Sequence, residues 1–377
     1  MLHFSKYQGL GNDFLMVDAR RALADEAPSA LTPERIQRLC DRRFGIGGDG
    51  VIVALPPDAQ GDVRMRIFNA DGSEPEMCGN GIRCLARFLA DSDGDQPGRR
   101  WQVETLAGMI VPELLDNGLI RVDMGQPFLE PASVPTTLPL GPAGLPQGNL
   151  MVEGTELAVA AAGMGNPHVV IPVADVGAID LERLGAALEV NPAFPARTNV
   201  HFVQVLAPDH LRMRVWERGA GPTLACGTGA CATLVACRLL GLCADEAVIE
   251  LPGGPLTIAW NGDPAGSVWM SGPAEAVFDG MVTPELWGEG PGQEQGPAAI
   301  QANQAGHAGT GNDSSGTDGI DCATACVKGC LRPDACPSAE ARARAMALLQ
   351  NTTLDGLVTM ASESLEARTR ARISRGL

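Results

Sequence analysis

The chain has 377 residues, 45% of them hydrophobic, enough for two ordinary domains with their own cores. Its formal charge of -17 excludes a non-specific nucleic-acid binder, because phosphate affinity comes from clustered Lys and Arg. Eleven cysteines with no signal peptide in view point to reduced thiols, metal ligands or catalytic groups, not to a disulfide framework.

In chain order, the N-terminus Met1-Leu2-His3-Phe4-Ser5-Lys6 lacks a basic region followed by an apolar core, so a cytoplasmic address is expected. Residues 63–68 alternate apolar and charged side chains, the pattern of a half-buried strand. A turn-rich loop leads to Cys78, after which Ile82, Leu85, Ala86 and Leu89 fall at helical spacing. Short apolar runs at 101–103, 109–111, 119–124, 169–173 and 200–206 follow, punctuated by Gly, Pro, Asp and Asn. The longest apolar stretch, around 157–164, is far short of the roughly 20 residues that a membrane-spanning helix needs. Residues 211–216 alternate again and lead to Cys226, with Ala230, Leu234, Cys237 and Gly241 at a weaker helical spacing. Many strands and few helices predict an α+β protein in which sheet wraps a helix in each half.

The order of these pieces is a duplication. Arg64-Met65-Arg66-Ile67-Phe68 returns as Arg212-Met213-Arg214-Val215-Trp216, and Cys78-Gly79-Asn80-Gly81 as Cys226-Gly227-Thr228-Gly229, both 148 positions later. Leu10-Gly11-Asn12-Asp13 has a looser echo in Met164-Gly165-Asn166-Pro167. An interval of that length is no solenoid period. It predicts two related halves, each presenting one thiol at a helix start.

A thiol there gains thiolate character from unpaired backbone N–H groups and the helix dipole, and the same groups can hold a substrate carboxylate. Two such thiols facing each other across a carbon acid supply a base on one side and an acid on the other. Proton removal on one face and return on the opposite face inverts the centre, with no need for pyridoxal phosphate. A lone intracellular Cys is more often a small buried hydrophobe, the role assigned to Cys84, Cys231, Cys237 and Cys243. Two rivals are a zinc site from Cys78, Cys84, Cys226 and Cys231, whose spacings diverge around a helix, and a thiol redox protein, for which neither frame is Cys-x-x-Cys.

Six motifs in order resemble the diaminopimelate epimerase family: Gly9-Leu10-Gly11-Asn12-Asp13-Phe14, Phe68-Asn69-Ala70-Asp71-Gly72-Ser73, Cys78-Gly79-Asn80-Gly81, Gly165-Asn166-Pro167-His168, Glu217-Arg218-Gly219-Ala220-Gly221 and Ala225-Cys226-Gly227-Thr228-Gly229. The resemblance covers about residues 1–283. It implies two pseudo-symmetric halves, each a mixed sheet around a central helix, with the site in the cleft between them. It implies cofactor-independent interconversion of LL- and meso-2,6-diaminopimelate, on the route to lysine and peptidoglycan precursors.

By the same resemblance Cys78 and Cys226 are the acid/base thiols, supported by His168 and Glu217. Gly79, Asn80, Gly227 and Thr228 offer N–H groups to the reacting carboxylate. Asn12, Asn69, Asn166, Asn199, Glu217 and Arg218 bind the rest of the substrate, Arg218 by a bidentate fork. Within the same fold, proline or hydroxyproline racemases are the nearest alternative, but a single-headed substrate would not need this asparagine and arginine set. A site glutamine of some family members is missing here, where Gly50 follows Asp49. Family members are often dimeric, so a homodimer is expected.

The expected domains are 1–125 with 270–284, carrying Cys78; 126–269, carrying Cys226; a linker at 285–320, rich in Gly, Gln, Asn, Ala and Ser; and a cysteine-rich helical extension at 321–377. In that extension Cys322, Cys326 and Cys330 share one helical face, with Cys336 six positions on. Zinc or an iron–sulfur cluster is one reading of these four, and unligated or redox-active thiols the other.

Overall fold

A computed structural model of the protein describes residues 2–21 and 31–288. Cys322, Cys326, Cys330 and Cys336, the extension that carries them and nearly all of the expected linker lie outside the described residues.

From the N-terminus the elements are β1 (His3–Gly9), β2 (Asn12–Asp18), α1 (Pro33–Cys40), β3 (Gly50–Leu55), β4 (Val63–Asn69), α2 (Gly79–Asp93), β5 (Val103–Thr105), β6 (Gly108–Ile110), β7 (Glu113–Leu114) and β8 (Ile120–Asp123). A second series runs β9 (Gln147–Val152), β10 (Thr155–Gly163), β11 (Pro167–Pro172), α3 (Leu181–Glu189), β12 (Asn199–Ala207), β13 (His210–Glu217), β14 (Gly221–Thr223), α4 (Gly227–Leu239), β15 (Glu246–Leu251) and β16 (Gly254–Ala259). The described part closes with β17 (Trp269–Gly272), β18 (Glu275–Met281) and α5 (Pro284–Trp287). This last helix occupies the first positions of the expected linker, where Trp287 lies against the Arg35 guanidinium of α1.

Two mixed sheets result. One has the order β18-β1-β2-β3-β4-β5-β6, the other β7-β8-β17-β16-β15-β13-β12-β11-β10-β9, with β14 beside β13. The duplication appears in their pairing sense. From β1 to β6 successive neighbours are antiparallel, parallel, antiparallel, parallel and antiparallel. From β10 through β11, β12, β13 and β15 to β16 the same alternation recurs. In both series the turn before the second strand has a left-handed glycine, Gly11 at φ 83° and Gly165 at φ 86°.

Each sheet closes over one helix. Helix α2 packs on β1, β2, β3 and β18, and also on β7 and β8; α4 packs on β10, β11, β12, β15, β16 and β17. Both are therefore core helices: Ile82, Cys84, Leu85 and Ala86 of α2, and Ala230 to Cys237 of α4, are fully buried. That explains the weak periodicity of α4, since a helix enclosed on all sides has no polar face to alternate with its apolar one. Strand β8 pairs antiparallel with β17, a partner more than a hundred residues further along the chain.

Candidate active site

Cys78 and Cys226 occupy the N-cap positions of α2 and α4, with extended backbone torsions of φ -138°, ψ 120° and φ -132°, ψ 104°. The Cys78 sulfur accepts from the Gly81 N–H at 3.4 Å, and the Cys226 sulfur lies 3.7 Å from Thr228 Oγ1. The first turns of the helices approach each other around Met270 of β17. A Cβ on Gly79 would come 3.3 Å from Met270 Cε; one on Gly227 would come 3.1 Å from Met270 Sδ and 3.9 Å from Asn80 Oδ1. Glycine is what permits this approach.

Burial raises both thiols above the ordinary range, Cys226 the further. Against it, Cys78 is pulled down by the Gly81 and Asn80 N–H groups and by Arg83, and Cys226 by Thr228 and Gly229. The Glu217 carboxylate pushes both thiols up, Cys226 more strongly, so its field reaches both sulfurs. The sequence predicts thiolate character from the helix termini; that pull is present, but desolvation by burial outweighs it.

On the Cys78 side, Asn12 Oδ1 accepts from Asn80 Nδ2 at 3.2 Å and lies 3.9 Å from the Cys78 sulfur. Asn12 Nδ2 donates to Asp49 at 2.6 Å, and Arg42 bridges Asp49 and Asp13 at 2.6 Å to each. Here Asp49, one residue before Gly50, holds the Asn12 amide. A Cβ on Gly50 would lie 2.3 Å from the Phe68 carbonyl, so a glutamine side chain has no room on this backbone. Asn69, exposed at the end of β4, donates to Ser73 Oγ at 2.9 Å.

On the Cys226 side, Asn166, His168 and His201 form a line: His168 Nε2 lies 2.7 Å from Asn166 Oδ1, and His168 Nδ1 lies 2.8 Å from His201 Nε2. Both rings are wholly buried, and burial holds His168 well below the usual range and His201 down to about 3. The His201 ring rests on the first turn of α4, where a Cβ on Gly229 would come 2.3 Å from its Cε1. Asn199 donates to the Pro167 carbonyl at 2.9 Å and accepts from the Arg218 N–H at 3.0 Å. Arg218 itself is exposed, with Nη1 on the Ala196 carbonyl at 3.0 Å, and Glu217 accepts from Thr223 Oγ1 at 2.5 Å.

The profile of diaminopimelate epimerase matches residues 4–129 and 160–277. The chain belongs to the diaminopimelate epimerase family. Relatives of that name share 60% identity in Prochlorococcus marinus (strain MIT 9313), over 76% of this chain and 94% of the relative, and 55% in Acaryochloris marina (strain MBIC 11017), over 74% and 98%. Among solved structures, a phenazine biosynthesis protein of the PhzF family from Bacillus anthracis superposes with a TM-score of 0.54 at 18% identity, covering 75% of this chain and 99% of its own. A probable proline racemase from Agrobacterium radiobacter K84 gives 0.53 at 15%, covering 76% and 98%. At that identity the likeness is one of fold.

Around the family's two cysteine frames the structure gathers Asn12, Gly79, Asn80, Gly227 and Thr228 directly. Asn166, His168 and Glu217 stand on the α4 side, with Arg218 held through Asn199. Asn69 is engaged with its own turn. In the sequence, no motif surrounds His201 and nothing marks Asp49 as a partner of Asn12. His201 sits two positions after Asn199 on β12, hence on the same strand face, which is the signal that could have found it. Cys84 and Cys231 are wholly buried in the helices and raised to about 12, as packing residues should be. Among the described residues no cluster of three or more His, Cys, Asp or Glu is placed to hold a metal ion.

Proposed function

We propose that the protein interconverts LL- and meso-2,6-diaminopimelate by two-base proton transfer, with Cys78 and Cys226 as the acid/base pair. The observation that carries this is the placement of two thiols at equivalent helix N-caps whose first turns approach each other around Met270, with Glu217 acting on both. One sulfur removes the α-proton as thiolate while the other, as thiol, delivers one to the opposite face. The Gly79, Asn80, Gly227 and Thr228 N–H groups receive the carboxylate, where they stabilise charge that spreads into it as the carbanion forms. Glu217 accepts from the reacting ammonium. Asn12, Asn69, Asn166 and Arg218 receive the distant amino-acid head, and Asn199 orients Arg218. His168, fixed by His201, holds the Asn166 amide.

No cofactor enters this scheme, because the carboxylate and the helix termini carry the electrostatic load. A cytoplasmic address and a homodimer accompany the reading, the latter open to sedimentation analysis. The deciding experiment is exchange in deuterated water: reduced protein with diaminopimelate incorporates deuterium at the α-carbon, and Cys78→Ala or Cys226→Ala abolishes epimerisation whereas Cys84→Ala does not. No exchange by the reduced wild-type protein rejects the assignment. A second reading, proline or hydroxyproline epimerisation, is tested in the same tube by offering those imino acids.

A further inference from the structure

Helix α2 holds a fully buried arginine, Arg83, with 0% exposure. A guanidinium keeps its charge in proteins, so burying one without an anion is costly. Its hydrogen bonds go only to neutral groups: Nη1 to the Gly79 carbonyl at 3.1 Å, Nη2 to Asn80 Oδ1 at 2.9 Å and Nε to the Pro273 carbonyl at 3.4 Å, with Met270 Sδ 3.6 Å from Nη1. No carboxylate among the described residues pairs with it. The ionisable groups that act on it are thiols: Cys84 and Cys78 from its own helix and Cys231 from α4. Cys84 and Cys231 are sealed in the core, which leaves Cys78, whose sulfur caps the same helix. The sites are charged oppositely in outline, since the cation acts on Cys78 while Glu217 bears most strongly on Cys226.

We propose that Arg83 is the buried counter-cation of the Cys78 thiolate and, together with Glu217 beside Cys226, decides which sulfur begins the cycle charged. Arg83 is a positioning residue here: it touches no substrate, but its fork fixes Asn80 and the Gly79 peptide while its charge, with the Gly81 and Asn80 N–H groups, favours the ionised form of Cys78. This rests on the two-thiol reading above. Burial raises both thiols, but of the two Cys78 is then the one that ionises first. Such an enzyme first removes the proton that faces Cys78.

The test is the pH profile of alkylation at each cysteine of the full-length reduced protein, with iodoacetamide as probe and peptide mass spectrometry as readout. In the wild-type protein Cys78 reaches half-maximal rate at a lower pH than Cys226; coincident or reversed profiles overturn the proposal, and this measurement needs no variant to fold. Arg83→Gln moves the Cys78 profile upward by about one pH unit or more and that of Cys226 by less. A folded Arg83→Gln protein with an unchanged Cys78 profile also overturns it. Glu217→Gln brings the two profiles together from the Cys226 side. Failure of deuterium exchange in the wild-type protein would instead reject the epimerase reading, whatever the order of the thiols.

Discussion

His168 and His201 meet nitrogen to nitrogen at 2.8 Å with neither ring exposed. Because Asn166 Oδ1 can only accept, His168 Nε2 carries the proton toward it; His168 Nδ1 then accepts from His201 Nε2–H. Two neutral imidazoles thus fix the Asn166 amide with its NH2 group free to donate. His201 Nδ1 is left as a buried acceptor with no hydrogen-bonding partner.

His201→Phe keeps a buried ring but deletes that hydrogen bond, which leaves His168 Nδ1 without its donor. A buried acceptor stripped of its partner costs about 1–3 kcal/mol. In kinetics with diaminopimelate, kcat/KM should fall about tenfold or more, chiefly through Asn166. An unchanged kcat/KM would show that the pair serves packing alone.

Gly229→Ala should destabilise the protein by about 1–3 kcal/mol, since its methyl would come 2.3 Å from Cε1 of the wholly buried His201 ring. Denaturant titration measures this.

Asp49→Ala frees the Asn12 amide, which then can rotate away from Asn80. Substrate binding should weaken, with KM rising about threefold to tenfold for a lost charged hydrogen bond, while kcat changes less. A fall in kcat at constant KM would contradict the role given to Asp49.

Stability should decline toward both extremes of pH. On the alkaline side, Cys84 and Cys231 rise from 9.0 to about 12 on folding, and Cys40 and Cys243 to about 11. Their neutral form is favoured by the native state, so their contribution is complete below 9.0 and is lost as pH climbs toward the folded values. On the acid side, His201 falls from 6.5 to about 3, so its contribution is complete above 6.5 and is lost as pH drops toward 3. Thermal melts across this range check both limbs, and Cys231→Ala should shallow the alkaline one.

The amino-acid sequence by itself determined the duplication, the two thiols and their position at helix starts. These are local properties: a strand alternates over six residues, a helix announces itself within two turns, and Cys-Gly-x-Gly is complete in four. It also determined the family, because six short motifs in order leave little else. The tertiary structure alone decided what each of those groups feels. Arg83 follows Ile82 and precedes Cys84, and nothing in that neighbourhood says that sheet will close over it; burial on all sides comes from strands far away in the chain. His201 meets His168 only because β11 and β12 pair in parallel at that register. The direction of the thiol shifts was likewise unreadable from sequence, since a helix terminus pulls through its own few peptide groups while desolvation is summed over every atom that packing brings near.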